Sequence, residues 1–131
     1  MIVIDTSAIV ALLCNEADAD LYEAAIAGAE ESCISTASVL ECTLVLESRY
    51  GAVGSQKLEQ LLLEQGIGIV AFDAEQLELA RGAFRRFGRG RHPARLNFGD
   101  CFSYGLAKQL AAPLLFKGGD FPQTDIEGAL T

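Results

Sequence analysis

IVIDTSAIVALLC, residues 2–14, decides the fold. Ile2, Val3 and Ile4 are the β-branched run of a strand buried on both faces. Asp5 ends the run, and Thr6 or Ser7 can cap a helix running from Ala8 to Cys14. A strand that passes through a tight turn directly into a helix opens an α/β domain. Such domains place their functional groups where strand ends meet helix starts, and Asp5 stands at that junction.

The rest of the chain repeats the pattern. Glu16 to Ala29 carries Leu21, Tyr22, Ala25 and Ile26 at helical spacing, and SCIST, Ser32 to Thr36, reads as a second strand. Ser35 or Thr36 then caps the helix ASVLECTLVLESRY, which stops near Gly51 and holds Glu41 in its first two turns. Leu58, Leu61 and Leu62 mark a helix from Gln56 to Gln65, and Gly66 to Asp73 reads as a third strand. Ala74 to Phe87 is helical. GRGRHPARLNFG has too much glycine and proline for a helix and is expected as an exposed loop. Asp100 begins the helix DCFSYGLAKQLA, Pro113 breaks it, and Leu114 to Phe116 makes a fourth strand. KGGDFPQTDI turns away into a short last strand near Ile126. Strands alternating with helices predict a parallel sheet covered on both faces. Asp5, Glu41, Asp100 and Asp120 then gather on its carboxyl edge.

Four carboxylates cannot share a small pocket as bare anions, because each raises the pKa of its neighbours. A hard divalent cation with oxygen ligands is the natural partner, so the quartet predicts a Mg²⁺ site. Taken one at a time the residues are less telling: Asp5 is an ordinary strand end and Asp100 an ordinary helix cap. Glu41 is harder to explain away, because it sits in an otherwise apolar helix segment.

With 131 residues, half of them apolar, the chain suits one domain spanning residues 1–131. Asp5 interrupts the apolar start and no basic segment precedes it, so a signal peptide or membrane span is not expected, and the composition reads as cytoplasmic. Cys14, Cys33, Cys42 and Cys101 are widely spaced and His92 is the only histidine, which argues against zinc and against a disulfide framework. Buried small hydrophobes are the default for all four cysteines.

A net charge of −8 would ordinarily argue against a nucleic-acid partner. The average hides an asymmetry. Arg81, Arg85, Arg86, Arg89, Arg91 and Arg95 lie in one segment without an acidic residue, which is therefore +6, while the remaining chain carries four basic and 18 acidic residues. Either this is a solvated surface run, or Arg85, Arg86, Arg89 and Arg91 grip phosphates beside the acidic pocket, with Phe87, His92 and Phe98 available to stack on bases.

IVIDTSAIVALL, ASVLECTLVL, GRHPARLNFGDCFSYGLAK and LLFKGGDFPQTDI, in this order and spacing, resemble the PIN domain family, and within it the VapC-like ribonuclease toxins of bacterial type II toxin–antitoxin systems. The resemblance spans nearly the whole chain. It implies a three-layer α/β/α sandwich around a mostly parallel sheet, and a Mg²⁺- or Mn²⁺-dependent endoribonuclease that cuts RNA, with tRNA or rRNA as the expected substrate, held inactive by a cognate antitoxin. The family's acidic quartet falls on Asp5, Glu41, Asp100 and Asp120. Its hydroxyl after the first aspartate matches Thr6 and Ser7. Relatives often carry an acidic or amide residue just before the fourth aspartate, where this chain has Gly119.

Because Mg²⁺ takes only one or two protein carboxylates directly, Asp5 and Asp100 are assigned to it, with Glu41 and Asp120 orienting water or a second ion. The apolar helices around Leu44 to Leu46 and Leu58 to Leu62 offer surface for a homodimer or an antitoxin helix. Two other functions remain open from the residues. A haloacid-dehalogenase-type phosphatase also ends its first strand in aspartate, but wants D-x-D where this chain has Ser7. A catalytically silent module would bind metal or RNA with the same quartet.

Overall fold

A computed structural model describes residues 1–130. The strands are β1 (Ile2–Ile4), β2 (Ser32–Ser35), β3 (Gly68–Val70) and β4 (Leu114–Leu115). The helices are α1 (Thr6–Leu13), α2 (Ala19–Gly28), α3 (Thr36–Tyr50), α4 (Ala52–Glu64), α5 (Ala74–Phe87) and α6 (Phe98–Leu110). All strand pairings are parallel, in the order β3-β2-β1-β4. The chain builds outward from β1 through β2 to β3, then returns to place β4 on the opposite side of β1. The order therefore reverses between β1 and β4, the crevice in which open α/β sheets hold their ligands.

The alternation of side chains along each strand sorts the core into two layers. Ile4, Ile34 and Leu115 face helices α1 to α4, packing with Ile9, Tyr22, Ile26, Leu46 and Leu58. Val3, Cys33 and Leu114 face the other way, against Phe87, Tyr104 and Leu106 of α5 and α6. The result is the expected three-layer α/β/α sandwich. On the second face, α5 and α6 pack so closely at Gly105 that a Cβ there would lie 2.8 Å from the Gln76 carbonyl oxygen.

Several local expectations are corrected. Asp5 itself caps α1, its side chain accepting from the Ser7 amide, so Thr6 and Ser7 are the first helical residues rather than caps. A carboxylate is the stronger acceptor for the positive end of a helix. Helix α4 begins at Ala52, four residues earlier than its leucine pattern suggests, because Gly51 at φ 65° both closes α3 and opens α4. Strand β3 is only three residues long.

Asp100 does not begin α6. Asn97 is the cap and Asp100 is the third helical residue, the two exchanging hydrogen bonds in a capping box. No strand forms near Ile126; Phe121–Gln123 is a turn of 3-10 helix, and Gly128 makes a single bridge to Leu114. The Gly/Arg segment is not simply an exposed loop. Leu96 bridges back to Gly88, and Ala94 and Leu96 are fully buried. Among the described residues no helix is long and apolar enough to cross a membrane.

Candidate functional site

Three of the four predicted carboxylates meet. Asp5 at the end of β1, Glu41 on α3 and Asp100 on α6 line one cleft of about 390 Å³, together with Ser7, Glu16, Asn97 and Lys117. The fold explains the convergence. The first turns of α1, α3 and α6 all lie at the carboxyl edge of the sheet, so residues 36 and 59 positions apart in sequence become neighbours.

Each carboxylate is held differently. Asp5 is buried, and its Oδ2 accepts from the Ser7 amide at 3.0 Å and the Ser7 hydroxyl at 2.6 Å. Its Oδ1 accepts from the Ser103 hydroxyl at 2.5 Å. Asp100 Oδ2 accepts from the Asn97 amide at 3.0 Å, while the Asp100 amide donates to Asn97 Oδ1 at 2.9 Å. Glu41 accepts no hydrogen bond from the chain among the described residues. Its carboxylate occupies the space a Cβ at Gly99 would take, so a larger residue there would have to displace the Glu41 carboxylate.

The electrostatics record the crowding. Asp100 is pushed up to about 6, first by burial and then by the negative charges of Asp5, Asp120 and Glu41, against the opposing Asn97 amide. A cation in the cleft would relieve that repulsion. The donor set is entirely oxygen. The nearby Cys42 thiol is turned into the core and pushed up to about 12, chiefly by burial. Among the described residues no acidic, cysteine or histidine trio is already gathered around one point as a closed ligand cage. An open oxygen-lined cleft with one or two available carboxylates suits Mg²⁺, which keeps much of its own water, better than Zn²⁺.

Asp120 does not line this cleft. It is exposed at the start of the 3-10 turn, yet close enough for its charge to be felt at Asp100. The two hydroxyls after Asp5 divide their work. Ser7 holds Asp5, whereas Thr6 is buried and its hydroxyl donates to the Ser38 carbonyl on α3 at 3.4 Å.

Lys117, just past β4, escaped the sequence reading. Its amide donates to the Ser7 hydroxyl at 2.9 Å, and its Nζ lies 2.6 Å from Glu16 and 2.9 Å from Asp18. Those two contacts raise the Lys117 pKa, and the Lys117 bond in turn lowers that of Asp18. Lys117 thus ties the α1–α2 connection to the end of β4 and builds one wall of the cleft. Ser38 and Ser103, also missed, each stand three residues from a cleft carboxylate, Glu41 and Asp100. That i, i+3 spacing was the available signal.

The arginines separate into groups. Arg85 and Arg91 border an apolar groove floored by Phe72, Phe84, Phe98 and Phe102, and Arg91 stacks over the Phe84 ring at 5.1 Å. Arg89 is exposed. Arg86 is occupied, pairing with Asp125 at 3.5 Å and stacking on Phe87 at 4.6 Å. Burial pushes the Asp125 carboxyl up, but hydrogen bonds from Tyr104 and Lys108, with the charges of Lys108 and Arg86, together bring it below its ordinary value. Phe87 is buried edge-to-face against the half-buried His92, so the Phe87 ring is not offered to a base. Phe98, 82% exposed, is. The groove and the acidic cleft share the first turn of α6, with Phe98 and Cys101 on one side and Asn97 and Asp100 on the other.

This sandwich, with carboxylates meeting at the crevice between β1 and β4, defines the class: the chain belongs to the PIN domain family, which matches it over residues 2–127. Its relatives within that family carry a more particular name. Ribonuclease VapC30 of Mycobacterium tuberculosis is 52% identical over 124 residues, covering 95% of each chain. Ribonuclease VapC of Mycolicibacterium smegmatis is 52% identical over 124 residues, covering 95% of this chain and 96% of its own. Among solved structures, Mycobacterium tuberculosis VapC20, described as a Sarcin-Ricin loop cleaving toxin, superposes with a TM-score of 0.78 at 20% identity, covering 96% of both chains. A toxin–antitoxin complex from Klebsiella pneumoniae gives 0.71 at 17% identity, covering 95% of this chain and 93% of that one. At those identities the two structures speak for the fold alone.

Proposed function

We propose that this protein is the toxin of a type II toxin–antitoxin pair, an endoribonuclease that hydrolyses RNA phosphodiester bonds with Mg²⁺, or Mn²⁺ in its place, held at the acidic cleft. The observation that carries the reading is the meeting of Asp5, Glu41 and Asp100 in one oxygen-lined cleft. The names of the relatives support the substrate class.

Asp5 and Asp100 hold the ion. Bound there, Mg²⁺ supplies positive charge for the phosphoryl oxygens and makes nearby water more acidic. Asp5 is suited to the role because Ser7 and Ser103 fix both its oxygens. Asp100 is suited because burial, and then the negative charges around it, make its own charge costly to leave uncompensated. Glu41, whose carboxylate has no donor from the chain, is free to accept the proton of the attacking water. Asp120 lies outside the cleft lining and serves from the rim, steering water or a second ion that arrives with substrate.

Arg85, Arg89 and Arg91 meet the phosphates flanking the cut. Arg86 is exposed as well but shares its charge with Asp125 at 3.5 Å, so it is the weakest of the four for phosphate. An antitoxin arginine or lysine inserted among the carboxylates would silence the cleft by occupying the cation's place. The α3–α4 face divides: Leu46, Leu58 and Leu62 lie in the protein's own core, whereas Leu40, Leu44 and Leu63 are exposed and offer apolar surface to a second copy or to an antitoxin helix. Against the phosphatase alternative, the second position of its D-x-D is Ser7, whose hydroxyl is committed to Asp5.

The test is incubation of antitoxin-free protein, and its Asp5→Ala variant, with labelled tRNAs and rRNA fragments in Mg²⁺, Mn²⁺ or EDTA. Discrete metal-dependent products from the wild type alone are expected. Cleavage that persists in EDTA, or in the folded variant, would overturn the metal-site assignment. Metal and RNA binding without any cleavage would favour the silent module.

A further inference from the structure

Behind the three cleft carboxylates lies a second row made only of hydroxyls. Ser38 and Ser103 are 1% and 0% exposed, one helical turn from Glu41 and Asp100 respectively, and their Oγ atoms approach to 3.5 Å between α3 and α6. Only Ser103 reaches the metal-site carboxylate, donating to Asp5 Oδ1. A buried hydroxyl needs a partner, and here the strongest acceptor available is a carboxylate that another residue, Ser7, already grips from the opposite side.

Counting acceptor sites gives the consequence. A carboxylate has about four lone-pair positions. Asp5 Oδ2 spends two on the Ser7 amide and hydroxyl. Oδ1 spends one on Ser103. A single position, on Oδ1, remains for a cation. Ser7 alone holds one oxygen and leaves the carboxylate plane free to turn about it; a second donor on the other oxygen stops that rotation.

We infer that Ser103 is a positioning residue for the metal site: by pinning Oδ1 from the dry side of α6, it makes Asp5 present one oxygen in a fixed direction. This rests on the metal-site reading above and extends it to a residue outside the acidic quartet. Ser38 is the built-in control, because it is equally buried at the same helix crossing but touches Ser103 rather than Asp5.

The experiment is Mn²⁺ binding to the antitoxin-free protein, read by titration calorimetry and by the spin-resonance signal of free Mn²⁺, for wild type, Ser103→Ala, Ser103→Cys and Ser38→Ala. Thermal unfolding in EDTA runs alongside. Outer partners of metal ligands typically contribute ~10–100-fold to affinity, so Ser103→Ala is expected to lose affinity in that range. Ser38→Ala should stay within about threefold of wild type on the same scale, and Ser103→Cys, a weaker donor of similar shape, should fall between. Equal losses in Ser103→Ala and Ser38→Ala, tracking their loss of thermal stability, would mean a merely structural role and overturn the inference. So would unchanged Mn²⁺ affinity in folded Ser103→Ala. A wild type that binds no Mn²⁺ at all would remove the metal-site reading itself, a result distinguishable from the other two.

Discussion

Without metal, Asp100 should be a liability that the protein carries for the sake of its site. Its carboxyl is raised from an ordinary 3.8 to about 6. Such a shift corresponds to about 3 kcal/mol, which water in the open cleft screens to ~1–2 kcal/mol. Because the folded-state value lies above the unfolded one, the folded protein binds this proton more tightly than the unfolded chain does. The contribution to stability is therefore fully present below about 3.8 and is lost as pH rises through about 6. Asp100→Asn cannot ionise, and its amide oxygen can still accept from the Asn97 amide.

In EDTA the variant and wild type should be of similar stability near pH 4, in the notation of ordinary carboxyl titration. They should diverge by ~1–2 kcal/mol in favour of Asp100→Asn above about pH 6.5, or about 4–8 °C in Tm for a domain of this size. Urea and thermal unfolding across that range measure the gap directly. Saturating Mg²⁺ should close it from the wild-type side, since ligand at ten times its Kd adds about 1.4 kcal/mol, and should do little for the variant. A gap that stays flat with pH, or a variant less stable than wild type at neutral pH, would refute the argument that neighbouring charges and burial strain this carboxyl.

Further expectations test other parts of the site. Gly99→Ala places a Cβ in the space of the Glu41 carboxylate. It should reduce RNA cleavage by up to ~10²–10⁴-fold, the scale of losing a positioned general base, while circular dichroism remains native. Arg85→Gln with Arg91→Gln should weaken RNA binding to a catalytically dead Asp5→Ala background and flatten its salt dependence, by about 0.7 to 0.9 in log-log slope per lost phosphate contact. Arg86→Gln should flatten that slope less than either, because Arg86 also pairs with Asp125. Leu40→Ser with Leu44→Ser, both exposed on α3, should shift sedimentation toward monomer if that face joins two copies; an unchanged mass would place the homodimer elsewhere.

The sequence by itself determined the architecture and the acidic positions. Local rules suffice for a β-branched run ending in Asp5, a serine-led helix carrying Glu41, and a helix after Pro93 carrying Asp100, because strand and helix periods are written in neighbouring residues. That these carboxylates share an edge follows from the topology of parallel α/β units.

Tertiary structure decided the rest. It left Asp120 outside the cleft lining, because the segment after β4 turns into 3-10 helix instead of continuing the sheet. It turned Phe87 into the core against His92 and Tyr104, and it gave Arg86 a partner in Asp125, which returns from the far end of the chain to meet α5. It also brought Ser103 beneath Asp5 across 98 positions of sequence. The i, i+3 spacing from Asp100 places Ser103 on the same helix face, but only the packing of α6 against β1 tells which acceptor its hydroxyl finds, because hydrogen bonds reach just about 3 Å. Element identity is a local property of the chain, whereas the partner of a short side chain is set by where two distant elements come to rest.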